Sequence, residues 1–349
     1  MTGTLSNETA CPTRNSKSNS FKERNMKQLL LVAGLVLFVL ELGLVTPAIQ
    51  AQPYPNRPIQ VIIPSTPGSG VDITGRMVTE ELGKILKTQI VTVNKPGASM
   101  TLGTDAVVRS KKDGYTLLYA NTTAIVYSRV PAPDVVPYDP VKDLEPLGFH
   151  LWNLMVIAVN DAAPWKSFSE LIDYAKQNPE KVRVSLHSVG SIDHFNLEII
   201  KSLTGAQFNM IPFKGPAEAA TALLGGHVDV TSIALTLVLP HVRAGKMRNL
   251  LITRKWSELP NIPTLTELGY KQELGAGWFA FYAPAGVPEE VKNVLVPAFE
   301  KVARNPELKS KIDKMGFAVD YKPPGELRKI MIEDYDAAVA LAIKLGLRK

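Results

Sequence analysis

Apolar positions along this chain of 349 residues switch repeatedly between two periods. Ile59, Val61, Ile62 and Ile63 form a short β-branched run, the pattern of a strand covered on both faces. Pro64 ends it, residues 66–70 are a turn of small residues, and from Val71 the apolar positions Val71, Met77, Val78 and Leu82 follow a helical stripe. The succession recurs. Residues 89–93 predict a strand, 94–103 a turn, 104–109 a helix and 115–119 a third strand ending in Ala120-Asn121-Thr122-Thr123. Pro131, Pro133, Pro137 and Pro140 mark a long irregular passage, and residues 151–159 are an apolar stretch able to carry the chain into a second domain.

The pattern then restarts. Residues 168–177 predict a helix capped by Ser167 or Ser169, followed by a strand at 182–186, a helix at 194–203, a strand at 208–213, a helix at 221–224 and strands at 228–233 and 249–253. Residues 277–283 predict a strand returning to the first domain, and three helices, 289–303, 306–315 and 325–345, finish the chain. Repeated units of this kind predict an α/β fold of two lobes, each a parallel sheet flanked by helices, with the C-terminal helices returning to the first lobe. The expected partition is 52–155 and 275–349 for the first lobe and 156–274 for the second.

Residues 1–51 stand apart. Met26-Lys27 precedes an apolar run at 29–45, and small Ala51 precedes a polar start, the features of a cleaved secretory signal peptide. An uncleaved membrane anchor is the alternative, opposed by Glu41 inside the run. The segment before Met26 is polar and patternless, which makes Met26 an alternative start. The chain carries 39 Lys and Arg against 33 Asp and Glu, a net +6, and losing five basic and three acidic residues with the first 51 leaves +4. So small an excess does not argue for nucleic acid and fits a surface mildly attractive to anions. The one cysteine, Cys11, falls in the segment to be removed, which excludes thiol catalysis, a disulfide or a zinc–thiolate site in the mature protein.

Five turns follow strands: 65–70, 95–100, 120–123, 187–192 and 213–218. All are rich in Gly, Ser, Thr or Asn, and in open α/β sheets ligands bind beyond the carboxyl ends of strands. Backbone amides and hydroxyls there, with a helix N-terminus behind them, can hold a carboxylate without a formal positive charge. Asp72, just inside the first helix, either caps it or holds waters or an ammonium group of a ligand. Lys95 and Lys214 either contact an anion or are solvated surface lysines, and His194 opens a helix as a ligand contact or as a structural residue. Among the tryptophans, Trp278 is the best placed to pack on a ligand. No HExxH, GxGxxG, GxxxxGK or GxSxG spacing occurs, so zincin, dinucleotide, P-loop and serine-hydrolase readings find no support.

The ordered set PSTPGSGVD, NKPGAS, DGYTLL, YDPVKDLEPL, PFKGPAEA, GGHVDV, AGKMRNLLITR, PTLTELG and FYAPAGVP resembles the Bug (Bordetella uptake gene) family, the extracytoplasmic receptors of tripartite tricarboxylate transporters. The likeness covers essentially the whole chain after the signal peptide. It implies a type II periplasmic binding protein, a monomer with no cofactor or metal, that closes on a small carboxylate and presents it to a membrane permease. Carried onto this chain, the ligand contacts would be Ser65, Thr66, Gly68, Ser69, Asp72, Gly97 and Ser99 in the first lobe, and Ser188, Gly190, Ser191, His194 and nearby Lys214 in the second. Ser65 stands where the family usually has an aromatic, Ser69 splits its first glycine pair, and Ser99-Met100 replaces its second. Ile233 and Ala234 stand where an acid or amide is common, so the ligand departs from a citrate-like acid more readily than the binding mode does. A sensor subunit for a membrane kinase would use the same pocket. A periplasmic hydrolase or lyase would need a paired base and nucleophile, and none is visible.

Overall fold

The computed structural model of the chain describes residues 26, 31, 34, 53–130, 133–186, 189–213 and 215–348. The signal-peptide expectation therefore falls outside the described residues except at three positions, and so do Ser188 and Lys214. In chain order, β1 (Ile59–Ile63) leads to α1 (Gly70–Leu86), β2 (Ile90–Asn94), α2 (Thr101–Val108), β3 (Thr116–Asn121) and the short α3 (Thr122–Ile125). A one-turn α4 (Pro140–Asp143) precedes β4 (Leu144–Asn153), which a single residue, Leu154, separates from β5 (Met155–Asn160). Then come α5 (Phe168–Gln177), β6 (Arg183–Leu186), α6 (Ile192–Thr204), β7 (Asn209–Pro212), α7 (Pro216–Leu224), β8 (Val230–Ala234), α8 (Leu235–Arg243) and β9 (Met247–Ile252). The chain ends with β10 (Gly277–Pro284), α9 (Glu289–Ala303), α10 (Pro306–Asp313), β11 (Phe317–Lys322) and α11 (Pro324–Lys344).

The strands form two sheets, ordered β11-β4-β10-β3-β1-β2 and β7-β6-β8-β5-β9. The two-lobe α/β fold is as expected, but both sheets are mixed. Only β1 with β2 and β3, and β6 with β7 and β8, pair in parallel, while β10 runs antiparallel between β3 and β4. Three differences from the sequence reading have local causes. Between the proline-marked passage and the apolar stretch at 151–159, and running into the latter, lies β4, whose pairing with β10 skips Leu147 and His150, and the resulting bulges accommodate Pro146 within the strand. The second of the three C-terminal helices ends at Asp313 as against the expected 315, and the gap before the third holds the unforeseen β11, where Gly316 turns at φ +95° and Asp313 accepts from the Val319 N–H at 3.1 Å. Residues 235–243, which show no obvious period and contain Pro240, are helical as α8.

Caps settle where the helices start. Ser69 accepts from the Asp72 N–H to open α1, and Ser167, rather than Ser169, accepts from the Glu170 N–H to open α5. The Glu170 side chain reaches back to the Lys166 N–H at 2.8 Å, a reciprocal pairing of the capping-box kind. Gly75 lets α1 lie directly on the sheet, since a Cβ there would come within 2.7 Å of both Ile63 and Tyr119.

Beneath α1 a chain of polar groups crosses the apolar core. The Thr74 hydroxyl donates to the Gly70 carbonyl at 2.7 Å and accepts from the Tyr119 hydroxyl at 3.2 Å, and that hydroxyl lies 2.7 Å from His150 Nδ1. With both hydroxyl protons committed in this way, His150 donates from Nδ1, leaving its buried, unpartnered Nε2 as a bare lone pair. Burial holds the His150 imidazole down to about 3, from 6.5. The unfolded chain takes up this proton near pH 6.5 and the folded chain only near 3, so stability is full above the upper value and declines between the two. The decline attributable to this residue reaches about 1.4 kcal/mol per pH unit. Urea unfolding followed from neutral pH to about pH 4.5 should therefore fall less steeply in His150→Phe than in the parent, by up to one proton. Parallel slopes would contradict the buried neutral histidine.

Candidate ligand cleft

The first two strand-end turns are knitted to each other. Asp72 is buried, and its carboxylate accepts from the Gly68 N–H at 2.9 Å, from Asn94 Nδ2 at 2.8 Å and from Arg76 Nε at 2.9 Å. Asn94 also donates to the Ser65 carbonyl at 3.0 Å and accepts from Arg76 Nη2 at 2.6 Å. The Ser65 and Ser69 hydroxyls pair at 2.8 Å, and the Ser69 N–H donates to the Thr66 carbonyl. Burial alone would raise the Asp72 carboxyl, but the Gly68 amide, Asn94 and Arg76 together hold it below its ordinary value. The second turn runs through four successive residues of positive φ, Gly97 (+126°), Ala98 (+46°), Ser99 (+53°) and Met100 (+74°). Three non-glycine residues in the left-handed region cost about 1 kcal/mol or more each, strain that this turn sustains at the mouth of the sheet.

Between the two sheets lies a cavity of about 340 Å³, within the range of small-molecule sites. It sits at the carboxyl end of β3, where Asn121, Thr122 and Thr123 line it, beside Tyr127 and Ser128. Ser99 reaches it from the second turn, Val189 to Ile192 from the start of α6, Asn153 and Met155 from the β4–β5 junction, Gly277 to Phe279 from β10, and Leu347 from beyond α11. Thr122 fixes the base, its hydroxyl accepting from the Trp278 N–H at 2.6 Å and donating to the Trp278 carbonyl at 3.1 Å. Trp278 is fully buried, its indole N–H bound to Asp334 at 2.6 Å, so it backs the wall instead of standing free to stack. Asn121 caps α3, accepting from the Ala124 N–H at 3.2 Å, while the buried Oδ1 of Asn153 has no hydrogen-bond partner.

Of the residues singled out in the sequence, the structure brings Ser99, Gly190 and Ser191 together on this cavity. His194 stands behind them: its Nδ1 accepts from the Gly190 N–H at 3.1 Å and its own N–H donates to Ser191 Oγ at 3.4 Å. Burial, opposed by Glu198 and Asp193, holds its imidazole below 6.5, which keeps Nδ1 free to accept. Ser65, Thr66, Gly68, Ser69, Asp72 and Gly97 do not line the cavity. Neither does Lys95, and Ser188 and Lys214 lie outside the described residues. Asn153, Gly277, Tyr127, Ser128, Met155 and Leu347 carried no sequence signal. Asn121 to Thr123 did, as one of the five turns. Among the described residues no charged side chain lines the cavity, no three His, Cys, Asp or Glu stand close enough to hold a metal ion, and no helix is long and apolar enough to cross a membrane.

Residues 74–347 match the family model described as tripartite tricarboxylate transporter family receptor. Protein BugT of Bordetella pertussis is 35% identical over 269 residues, 76% of this chain and 82% of BugT. A TctC solute-binding protein from Polaromonas superposes with a TM-score of 0.73 at 29% identity, covering 83% of this chain and 99% of that one. An R. palustris protein solved with adipate gives 0.72 at 25% identity, covering 84% and 98%.

The three bonds converging on Asp72 make a stability prediction. Asp72→Ala leaves the Gly68 N–H and the Asn94 amide without their acceptor and should cost about 1–3 kcal/mol in urea unfolding at neutral pH. Because the folded carboxyl is held low, its contribution is present above the ordinary Asp value near 3.8 and lost as pH falls through the depressed one. The gap between parent and variant should therefore close in acid, and a gap that persists unchanged there would count against this role.

Proposed function

The chain belongs to the tripartite tricarboxylate transporter receptor family, and from that premise we propose that it is a periplasmic receptor that takes a small organic carboxylate into the cleft between its two sheets and delivers it to a membrane permease. The first 51 residues then serve export and are removed, and the mature protein acts as a monomer. The first lobe comprises 52–155 and 275–349, and the second 156–274. The observation that carries this reading is the cavity itself, walled from both sheets by backbone amides, hydroxyls and side-chain amides, with no carboxylate among the described residues that line it.

Ser99 and Thr123 offer hydroxyls from one side, and Gly190 and Ser191, at the start of α6, offer donors from the other. His194 sets the Gly190 amide. The turn holding Ser65, Thr66, Gly68, Ser69 and Asp72 supports the second turn, which begins at Gly97, through Asn94 and can carry waters to the ligand, with Ser188 and Lys214 as the further proposed contacts from the second lobe. Hydrogen bonds to a charged group contribute about 1.5–3 kcal/mol each, so three or four reach the micromolar range once ordering costs are met. Closure of the lobes excludes water and strengthens each of them.

Calorimetry of the purified protein against a panel of mono-, di- and tricarboxylates should find at least one micromolar binder. Thr123→Asp sets a like charge in the wall and should weaken that binding ten-fold or more while leaving the unfolding midpoint nearly unchanged. An empty panel, or a variant that binds as the parent does, would defeat the proposal.

A further inference from the structure

Tyr127 lines a second cavity as well as the cleft. This one measures about 530 Å³, larger than the cleft, and Tyr127 is the lining residue that the two have in common. Phe195 and Ile199 of α6 wall it on one side, α11 on another, and residues 272–276, which lead into β10, on a third. The α11 wall is set with Ala337, Ala338 and Ala340, whose short side chains leave the space open. The Tyr127 and Phe195 rings, 5.9 Å apart, add an aromatic surface.

The charged groups of this wall are Asp334, Glu273, Arg254 and Lys344. Lys344 stands about 15 Å from Asp334 along the α11 axis and donates to Ser202 at 3.3 Å. Arg254 meets Glu273 at 3.5 Å and lays its guanidinium 3.9 Å from the centre of the Trp152 ring. Asp334 is met at one oxygen, by the Trp278 indole N–H at 2.6 Å. Its other oxygen accepts no hydrogen bond among the described residues and is not sealed from solvent. Burial, aided by Glu333, outweighs the Trp278 bond and Arg254 and raises the Asp334 carboxyl above its ordinary value. Arg129 and Arg348 gather instead around the Tyr335 ring, Arg129 paired with Asp139, and neither lines this cavity. Away from Lys344, two carboxylates of the wall therefore share one guanidinium, and Asp334 has an oxygen to spare.

We propose that this cavity is a second ligand site, taking a primary ammonium compound with an aryl body: the ammonium binds at Asp334 and the body lies among the alanines, Tyr127 and Phe195. The site is separate from the cleft and does not rest on the carboxylate reading. Calorimetry of the purified protein should find 2-phenylethylamine bound ten-fold or more tighter than 2-phenylethanol, which has the same body without the charge. Asp334→Asn keeps an oxygen for the Trp278 N–H but removes the charge, and should bring the amine down to the level of the alcohol. Ala337 lies on the same face of α11, three residues beyond Asp334, and is exposed. Ala337→Phe fills the space beside the carboxylate and should weaken the amine ten-fold or more while leaving the unfolding midpoint nearly unchanged. An amine that does not bind or binds no better than the alcohol would overturn the proposal. So would either variant binding the amine as the parent does, and each of these results leaves the carboxylate reading as it stands.

Discussion

The structure depends on one late strand taking its place between two early ones. β10 hydrogen-bonds to β3 on one edge and β4 on the other, so residues near 280 complete a sheet begun near 60. Until β10 is seated, β4 has only β11 as a neighbour in that sheet, and β11 follows later still in the chain. The same insertion sets the cleft. It brings Gly277 against Asn153 in register and lays Trp278 across Thr122, whose hydroxyl holds both the amide and the carbonyl of that residue. The cavity floor is therefore a consequence of sheet closure, and ligand chemistry is layered onto a contact the fold already requires.

The strand–turn–helix units were plain in the sequence because each rests on local signals. β-branched runs, small-residue turns and caps such as Ser69 and Ser191 act within a few residues of one another. β4 escaped notice because Pro146 and Gly148 interrupt its alternation, and only the bulged pairing with β10 shows why a central strand tolerates them. The cleft divides in the same way. Ser99, Gly190 and Ser191 lie in turns after strands and could be named in advance. Asn153, Gly277 and Leu347 could not, since nothing near them marks a site and only long-range pairing brings them to one wall. Asp72 is instructive because two roles were open in the sequence. Three protein donors meet its carboxylate, so it organises the turns without reaching the cavity.

Polar groups are arranged differently in the interior and at the cleft. Under α1 the His150–Tyr119–Thr74 series ends on a backbone carbonyl, every hydroxyl proton is used, and the one bare atom is a lone pair, the less costly kind to leave unmet. At the cleft, hydroxyl and amide groups face open space, and Asn153 keeps an unanswered oxygen. Buried polar atoms without a partner also occur away from the cleft, on Asn249, Trp256, Tyr282 and Tyr321, so an unmet group is not by itself the mark of a site.

The passage from one sheet to the other is the shortest a polypeptide allows. Leu154 alone separates β4 from β5, its carbonyl is held by the Leu235 N–H at 2.8 Å, and the next residue is tied to Thr253 through both its amide and its carbonyl. With no slack at that point, the sheets cannot slide or draw apart there. The tether between the sheets and the cavity wall are neighbours in the chain: Asn153 and Met155, which flank Leu154, both line the cavity, so the join that fixes the spacing of the sheets also fixes the width of the pocket there.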